Sequence, residues 1–513
     1  MLTRLLALAA GAACVLGFAP FAVPMVTLAA LTILFVLWSH APSARAAAGL
    51  GFAFGVGLFG IGASWIYIAL ETFGGMPAPV AVVAAAVYVS YLALWPALAG
   101  WVAVRVTPAG STARLLAAAA AFTLFEWLRS WAVFGVTWFA IGNAELLREG
   151  GLPLAGFAPA GGVFLVTLAV AVCAAALAGL IAALANGRLR PAVACLALIA
   201  VLVVAGELLL RIEWTRTEGA PVAISLLQGN VSQAEKFDPA FRPKNFERYD
   251  NLVRLSKGRI VVLPESAFPQ FADEIPGSVF LRLSAAARAR DGGILVGLFV
   301  AEPPVKPGEG ERIYNSVVSL GEPPPQLYRK HHLVPFGESL PLKPITGWFI
   351  NSVLAIPLAD QASGPANQPP FQIAGQRLAV NICYEDVFGA EIIRQLPQAS
   401  LLVNVSNVAW FGRSIAPRQH LQISQTRALE TGRYMLRATN TGMTAIIDQR
   451  GELVKQAPEF ARAEVNGDVQ GYAGATPFVR WGNWPIIALS LALALGGGWL
   501  AVRGTSKIRD LPS

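Results

Sequence analysis

Leu378-Ala379-Val380-Asn381-Ile382-Cys383-Tyr384-Glu385-Asp386 is an apolar run that ends on a thiol and passes at once into acidic residues. A short aliphatic run of this kind reads as a strand buried on both faces, and such strands belong to sheets covered by helices. Similar runs recur on either side, at Val222–Leu227, Arg259–Leu263, Gly293–Phe299, Ser316–Ser319 and Leu401–Val405, with the thiol-bearing one at Arg377–Asn381. Polar, helix-forming stretches such as Phe241–Ser256 and Val279–Ala289 lie between them. The alternation predicts a layered α/β domain over residues 220–470, whose reactive groups gather at strand ends.

The rest of the chain is of another kind. Hydrophobic residues make up 55% of the 513 and charged residues only 14%, outside the range of soluble domains. No lysine precedes Lys236, so the apolar excess is concentrated in the first 210 residues. Eight segments of about the length a bilayer requires follow from the hydropathy: 4–19, 22–38, 47–70, 79–104, 113–131, 160–185, 191–210 and 484–502. The expected organisation is a seven-helix membrane domain over 1–212, an inserted domain over 220–470, an eighth helix over 482–503 and a tail over 504–513. The first segment also has the charge and length of a signal peptide, but a second apolar run follows so closely that an uncleaved span is expected.

Charge placement orients these spans. With the N-terminus inside, the cytoplasmic loops hold Arg4, Arg45, Arg105, Arg114, Arg188, Arg190, Arg503, Lys507 and Arg509. The external turns after the first and third spans carry no Arg or Lys. This positive-inside bias places the 220–470 domain outside the cytoplasm. It also accounts for the net charge of +8 without a nucleic-acid partner. Glu126 and Arg129 are three apart near the external end of the fifth span, where they share a helix face and pair structurally. Four cysteines, at 14, 173, 195 and 383, form no CxxC pair, so no disulfide framework is expected.

Three strand ends of the inserted domain, or the loops that follow them, carry reactive side chains. Ile260-Val261-Val262-Leu263-Pro264-Glu265 ends on a carboxylate, which alone reads equally well as a helix cap. Tyr328-Arg329-Lys330-His331-His332-Leu333-Val334-Pro335-Phe336-Gly337-Glu338 holds a basic cluster that reads as a solvated turn or an anion site. Its adjacent histidines point apart, and only His40 and His420 remain as further imidazoles, which argues against zinc. The third end is Cys383 itself, for which a structural thiol is the alternative. A cysteine nucleophile needs its proton removed and the ensuing oxyanion neutralised, which a carboxylate and an ammonium supply.

The order strand-Pro-Glu, Tyr-Arg-Lys, strand-Cys-Tyr-Glu resembles the nitrilase superfamily, whose Glu-Lys-Cys site lies on an αββα sandwich. With the flanking spans, the chain resembles the apolipoprotein N-acyltransferases over nearly its full length. Glu126-Trp127-Leu128-Arg129-Ser130-Trp131, Ala409-Trp410-Phe411-Gly412 with Gln419-His420, Arg427-Ala428-Leu429-Glu430 and Asn440-Thr441-Gly442 add to the match. The resemblance implies Cys383 as nucleophile, Glu265 as general base and Lys330 as oxyanion partner, with Glu338, Tyr384 and Glu385 supporting the site and Phe237 and Trp410 near the substrate. Two positions depart from the pattern: Phe237 stands where many members have Trp, and Val408 where many have Asp.

The implied reaction moves an acyl chain from a phospholipid, phosphatidylethanolamine foremost, through a Cys383 thioester to the α-amino group of a diacylglyceryl-cysteine on an apolipoprotein. It calls for no metal and no organic cofactor. The implied setting is a monomer in the bacterial inner membrane with its catalytic domain in the periplasm. A membrane-tethered amidase would use the same three residues, but eight spans serve no purpose for a soluble amide. A transporter would show internal repeats and mid-span charges, and a scaffold with a degenerate domain would have lost one of the three. Leu342–Ala359, which contains Trp348, is too apolar for a solvent loop; it reads either as a buried segment of the sandwich or, the favoured expectation, as a lid that dips into the bilayer surface.

Overall fold

The computed structural model describes residues 1–109, 111–146, 151–304, 310–321, 324–339, 360–494 and 496. The chain divides into two compact units, one of residues 1–66, 79–212 and 480–513, the other of 67–78 and 213–479.

Helices build the first unit. Four are long and apolar enough to cross a bilayer: Ala44–Gly62, Ala78–Arg105, Pro153–Ala185 and Leu189–Leu210. Leu2–Gly17, Pro24–Ser39 and Trp484–Ala494 are apolar but shorter, and Thr112–Arg129 is a further helix. The expected count of eight spans is therefore not confirmed among the described residues. The expected span 47–70 differs most clearly. Its helix stops at Gly62, and Trp65–Ile68 leads into a wide turn at Ala69–Phe73. Aliphatic composition continues past residue 62, but Gly60, Gly62 and Ser64 in succession weaken the helix there.

Small residues let these helices approach closely. A Cβ on Gly11 would fall 1.9 Å from the Phe54 carbonyl oxygen, and one on Gly57 would fall 2.1 Å from that of Leu8. Helices 2–14 and 44–62 thus meet backbone to backbone, the packing favoured where no water drives apolar faces together. Glu126 and Arg129 approach to 3.9 Å. Glu126 accepts from the Ile141 N–H (2.9 Å) and the Thr167 hydroxyl (2.6 Å), while Arg129 donates to the carbonyls of Val136 and Trp138. The two charges pin the chain after the helix back onto it, which is a structural role.

The second unit carries twelve strands among its described residues: β1 (Arg216–Gln228), β2 (Ile260–Val262), β3 (Gly293–Glu302), β4 (Arg312–Leu320), β5 (Leu327–Arg329), β6 (Phe371–Ile373), β7 (Gln376–Ile382), β8 (Leu401–Ser406), β9 (Met435–Thr439), β10 (Ala445–Ile447), β11 (Leu453–Gln456) and β12 (Ala463–Ala473). They form two six-stranded sheets, ordered β12-β1-β2-β3-β4-β5 and β11-β10-β9-β8-β7-β6. Neighbours β1-β2-β3 and β7-β8-β9 run parallel, and the outer pairs antiparallel.

Strand alternation explains the layering. Ile260 and Val262 enter the core between the sheets with Ile224, Leu226, Val380, Ile382, Val403 and Val405. Val261 and Leu263, one residue out of phase, face the helices 242–255 and 277–288 with Tyr249, Val253, Val279 and Leu283. On the outer face of the other sheet Ala379 and Leu402 pack with Leu421 and Ala428 of helix 416–431. Both faces of each central strand are buried, which is why these strands read as unbroken apolar runs. The result is the expected helix–sheet–sheet–helix sandwich.

Candidate active site

Glu265 follows β2, Lys330 follows β5 and Cys383 follows β7, so the candidate residues come from strand ends in both sheets. Lys330 is 1% exposed and Glu265 5%. The Lys330 ammonium donates to Glu338 Oε1 at 2.7 Å and to Glu265 Oε1 at 3.4 Å. Glu265 also accepts from Asn315 Nδ2 (2.7 Å) and, through Oε2, from the Asn407 N–H (2.7 Å). Glu338 Oε2 accepts from the Val334 N–H at 2.9 Å, which closes the 334–338 turn around the lysine. A buried ammonium shared by two carboxylates remains ionised. Burial alone would lower its pKa, but Glu338 and Glu265 raise it above the usual lysine range.

Cys383 is partly exposed and has a φ of +52°, a left-handed conformation that a non-glycine residue keeps only when its surroundings hold it. The turn that begins at Cys383 presents the thiol at the end of β7. Two braces hold it. Glu385 Oε2 accepts from the Ile382 N–H (2.6 Å), while its Oε1 accepts from His331 N (2.7 Å) and His332 N (3.1 Å). One carboxylate therefore ties the cysteine turn to the segment that carries Lys330, and the Tyr328 hydroxyl donates to it at 3.0 Å. Burial first pushes the Glu385 carboxyl up to about 7, against the main-chain hydrogen bonds that favour its ionised form.

The second brace lies deeper. Asn404 Nδ2 donates to the Cys383 carbonyl (3.1 Å), and Asn404 Oδ1 accepts from Arg437 Nη1 (2.8 Å). Arg437 also donates to Asp386 (3.0 Å), which bonds His420 Nε2 (2.6 Å) and the Ser424 hydroxyl. Burial would raise the Asp386 carboxyl, but His420 and Arg437 hold it below its usual range. Every member of this group is buried, so the charges satisfy one another in place of water.

These fields keep the resting sulfur protonated. Burial first, and the Glu265 carboxylate second, push the Cys383 thiol above its ordinary range, while Lys330 opposes them. An ammonium already shared by two carboxylates cannot alone hold a thiolate. The arrangement suits proton transfer to Glu265 during attack on an electrophile.

The other sequence-derived candidates lie as follows. Tyr384 packs edge-on to Phe388, with ring centroids 5.1 Å apart, and Phe388 stacks on His332 at 3.8 Å. Trp410 meets Phe73 edge-on at 6.2 Å. Phe237 caps the short helix Gln233–Lys236. Val408 is buried beside Asn407, whose main-chain N–H reaches Glu265 whatever the side chain at 408. Trp348 lies outside the described residues. Sequence reasoning missed Asn315, Asn407, Asn404, Arg437 and Lys236. Arg437, within Met435-Leu436-Arg437-Ala438-Thr439, carried a signal, since an arginine inside a buried strand requires a buried partner.

Comparison with known proteins places both units. Residues 231–478 match the carbon-nitrogen hydrolase family, and residues 10–176 match the apolipoprotein N-acyltransferase N-terminal domain. An apolipoprotein N-acyltransferase of Nitrosomonas europaea is 47% identical over 98% of this chain and 98% of its own. That of Methylococcus capsulatus is 42% identical over 95% and 94%, and that of Chromobacterium violaceum 40% over 97% and 94%. With its apolar helices, nitrilase-like sandwich and full-length likeness to these enzymes, the chain belongs to the apolipoprotein N-acyltransferases, acyltransferases of the membrane within the carbon-nitrogen hydrolase superfamily.

Proposed function

We propose that the chain carries an acyl group on Cys383 as a thioester, between a phospholipid donor and the α-amino group of an S-diacylglyceryl-cysteine. Cys383 Sγ attacks the ester carbonyl carbon as Glu265 takes the thiol proton. The oxyanion develops beside the Lys330 ammonium and a main-chain N–H. Collapse expels the lysophospholipid alkoxide, which takes the proton from Glu265. The acceptor amine then attacks the thioester, Glu265 takes the amine proton, and the thiolate leaves and is reprotonated. Atoms and charge balance, and no cofactor takes part.

The observation that carries this reading is the cluster of buried Glu265 and Lys330 with partly exposed Glu338, which acts electrostatically on a cysteine held at positive φ. Glu265 is positioned by Asn315 and Asn407 with an oxygen near Lys330, as a base that must hold a proton only briefly requires. Phosphatidylethanolamine is the donor and a diacylated apolipoprotein the acceptor, both anchored in a bilayer, which gives the apolar helices their purpose. The enzyme acts as a monomer of the bacterial inner membrane. The arginines of alternate loops support a periplasmic domain over 220–470 and an eight-span arrangement.

The test is intact-mass analysis after incubation with phosphatidylethanolamine of one chain length. Wild type gains the mass of one acyl group, released by hydroxylamine or by a diacylated peptide. Cys383→Ser and Cys383→Ala give no hydroxylamine-labile adduct and no transfer. Near-normal transfer in either variant removes Cys383 as nucleophile.

A further inference from the structure

A second group of hydrogen-bond donors faces the site from the short helix Gln233–Lys236. The Ser232 hydroxyl accepts the Glu235 N–H (3.3 Å) at its start, and Gln233 and Lys236, three residues apart, lie on one side of it. Lys236 is 5% exposed, and its Nζ donates to the main-chain oxygen of Glu265 at 3.0 Å. An ammonium has three N–H bonds, and among the described residues Glu265 O is the one acceptor for Lys236 Nζ.

Gln233 is likewise incompletely used. Its Oε1 accepts from Asn407 Nδ2 (3.2 Å), and its buried Nε2 has no acceptor among the described residues. The sense of that amide is fixed by a chain of hydrogen bonds. Val231 N donates to Asn440 Oδ1 (2.9 Å), so Asn440 Nδ2 donates to Val231 O (2.8 Å) and to Asn407 Oδ1 (3.1 Å). Asn407 therefore turns its own Nδ2 toward Gln233. Two donors of one helix turn are left open, one of them charged, beside the residue that positions the base.

The charge balance gives these donors a purpose. Glu265 and Glu338 share Lys330, so those three groups sum to one negative charge, which opposes any oxyanion formed nearby. Lys236 restores neutrality. Its ammonium is coupled to Glu265 on the β2 end and Cys383 on the β7 end, and Glu265 is bonded in turn to Lys330. We propose that Lys236 and Gln233 form a second donor pair of the active site, which receives an oxygen of the acyl ester under attack and balances the charge that develops on it. The proposal rests on Cys383 as the nucleophile.

The pH dependence separates this role from a structural one. Burial first lowers the Lys236 ammonium to about 8, while Glu265 and Cys383 act to raise it. Lys236 is charged below that value and neutral above it, so acyl-enzyme formation falls as pH rises through about 8. In Lys236→Arg the guanidinium does not titrate in this range, so the alkaline limb moves upward.

The experiment measures acyl-enzyme formation by full-length protein from two donors, a phospholipid and a p-nitrophenyl fatty ester that has no phosphate. Lys236→Met is expected to slow both about 100-fold through kcat, as for loss of one oxyanion-type donor. Gln233→Met, which loses a neutral donor, is expected to slow both roughly 5- to 10-fold. Thermal melting checks each variant, and Lys236→Arg and Gln233→Met retain the test if Lys236→Met does not fold. A wild-type rate in Lys236→Met overturns the proposal. An unmoved alkaline limb in Lys236→Arg does so too, as does a loss confined to the phospholipid, which would assign the donors to its phosphate. An acyl-enzyme in Cys383→Ala, which has no nucleophilic atom at that position, would instead overturn the nucleophile assignment and leave these outcomes distinguishable.

Discussion

Lys330→Met should separate what the lysine does for the fold from what it does for the reaction. The side chain is buried and holds two carboxylates, Glu338 at 2.7 Å and Glu265 at 3.4 Å. Removing one partner from a buried ion pair costs about 3–5 kcal/mol, because the other charge is left without compensation. For a domain of this size each kcal/mol lowers Tm by roughly 2–4 °C, so a fall of roughly 6–20 °C is expected. Acyl-enzyme formation should drop by about 10²–10³ from loss of the oxyanion partner. Adding Glu338→Gln removes the carboxylate that Lys330 bonds more closely. Glu265 retains Asn315 Nδ2 and the Asn407 N–H. The double variant should therefore recover more than half of the lost stability and none of the rate. Both quantities come from one preparation, by a melting curve and by intact mass after incubation with phospholipid. If the double variant regains transfer to within tenfold of wild type, the role of Lys330 is structural alone. If the single variant melts with wild type, the buried ion-pair argument fails.

Two further outcomes follow from the same geometry. Glu265→Gln removes the second cause of the raised Cys383 thiol, so iodoacetamide alkylation should develop at lower pH than in wild type. Transfer should nonetheless fall by about 10²–10⁴ with loss of the general base; an alkylation profile moved to higher pH would contradict this electrostatic account. Leu281→Cys and Val454→Cys, at exposed positions of the second unit and in a Cys383→Ser background, should react with an impermeant maleimide in intact spheroplasts. Labelling only after lysis would reverse the proposed orientation.

Much of the sandwich was legible because its central strands are buried on both faces. Val222–Leu227, Gly293–Phe299 and Leu401–Val405 have little choice of environment, and each lies within an observed strand. The outer strands β5, β6, β10 and β11 were not legible: each has three or four residues, too few for periodicity to register. The membrane unit shows the opposite limit. Hydropathy located the apolar segments, but composition alone does not say where a helix stops, as the break at Gly62 shows.

The sequence by itself determined the class of chemistry, since a carboxylate and a thiol at strand ends, with an ammonium between them, come in the order of a known family. It could not show how those groups are balanced. Lys330 meets Glu338 eight residues away because the 334–338 turn folds back on it, and it meets Glu265 sixty-five residues away because β2 and β5 lie in one sheet. Asn315 and Asn407 are common residue types within strands or turns, and nothing in their neighbours announces a role, whereas Arg437 inside an apolar strand announces a buried partner without saying which. Only the tertiary structure decided that Asn407 offers its main-chain N–H to Glu265, that Asn404 holds the Cys383 carbonyl, and that Lys236 is buried against the base. The physical reason is that hydrogen bonds and charge compensation are set by distance in space, which sheet pairing fixes, whereas burial pattern and motif order are written along the chain.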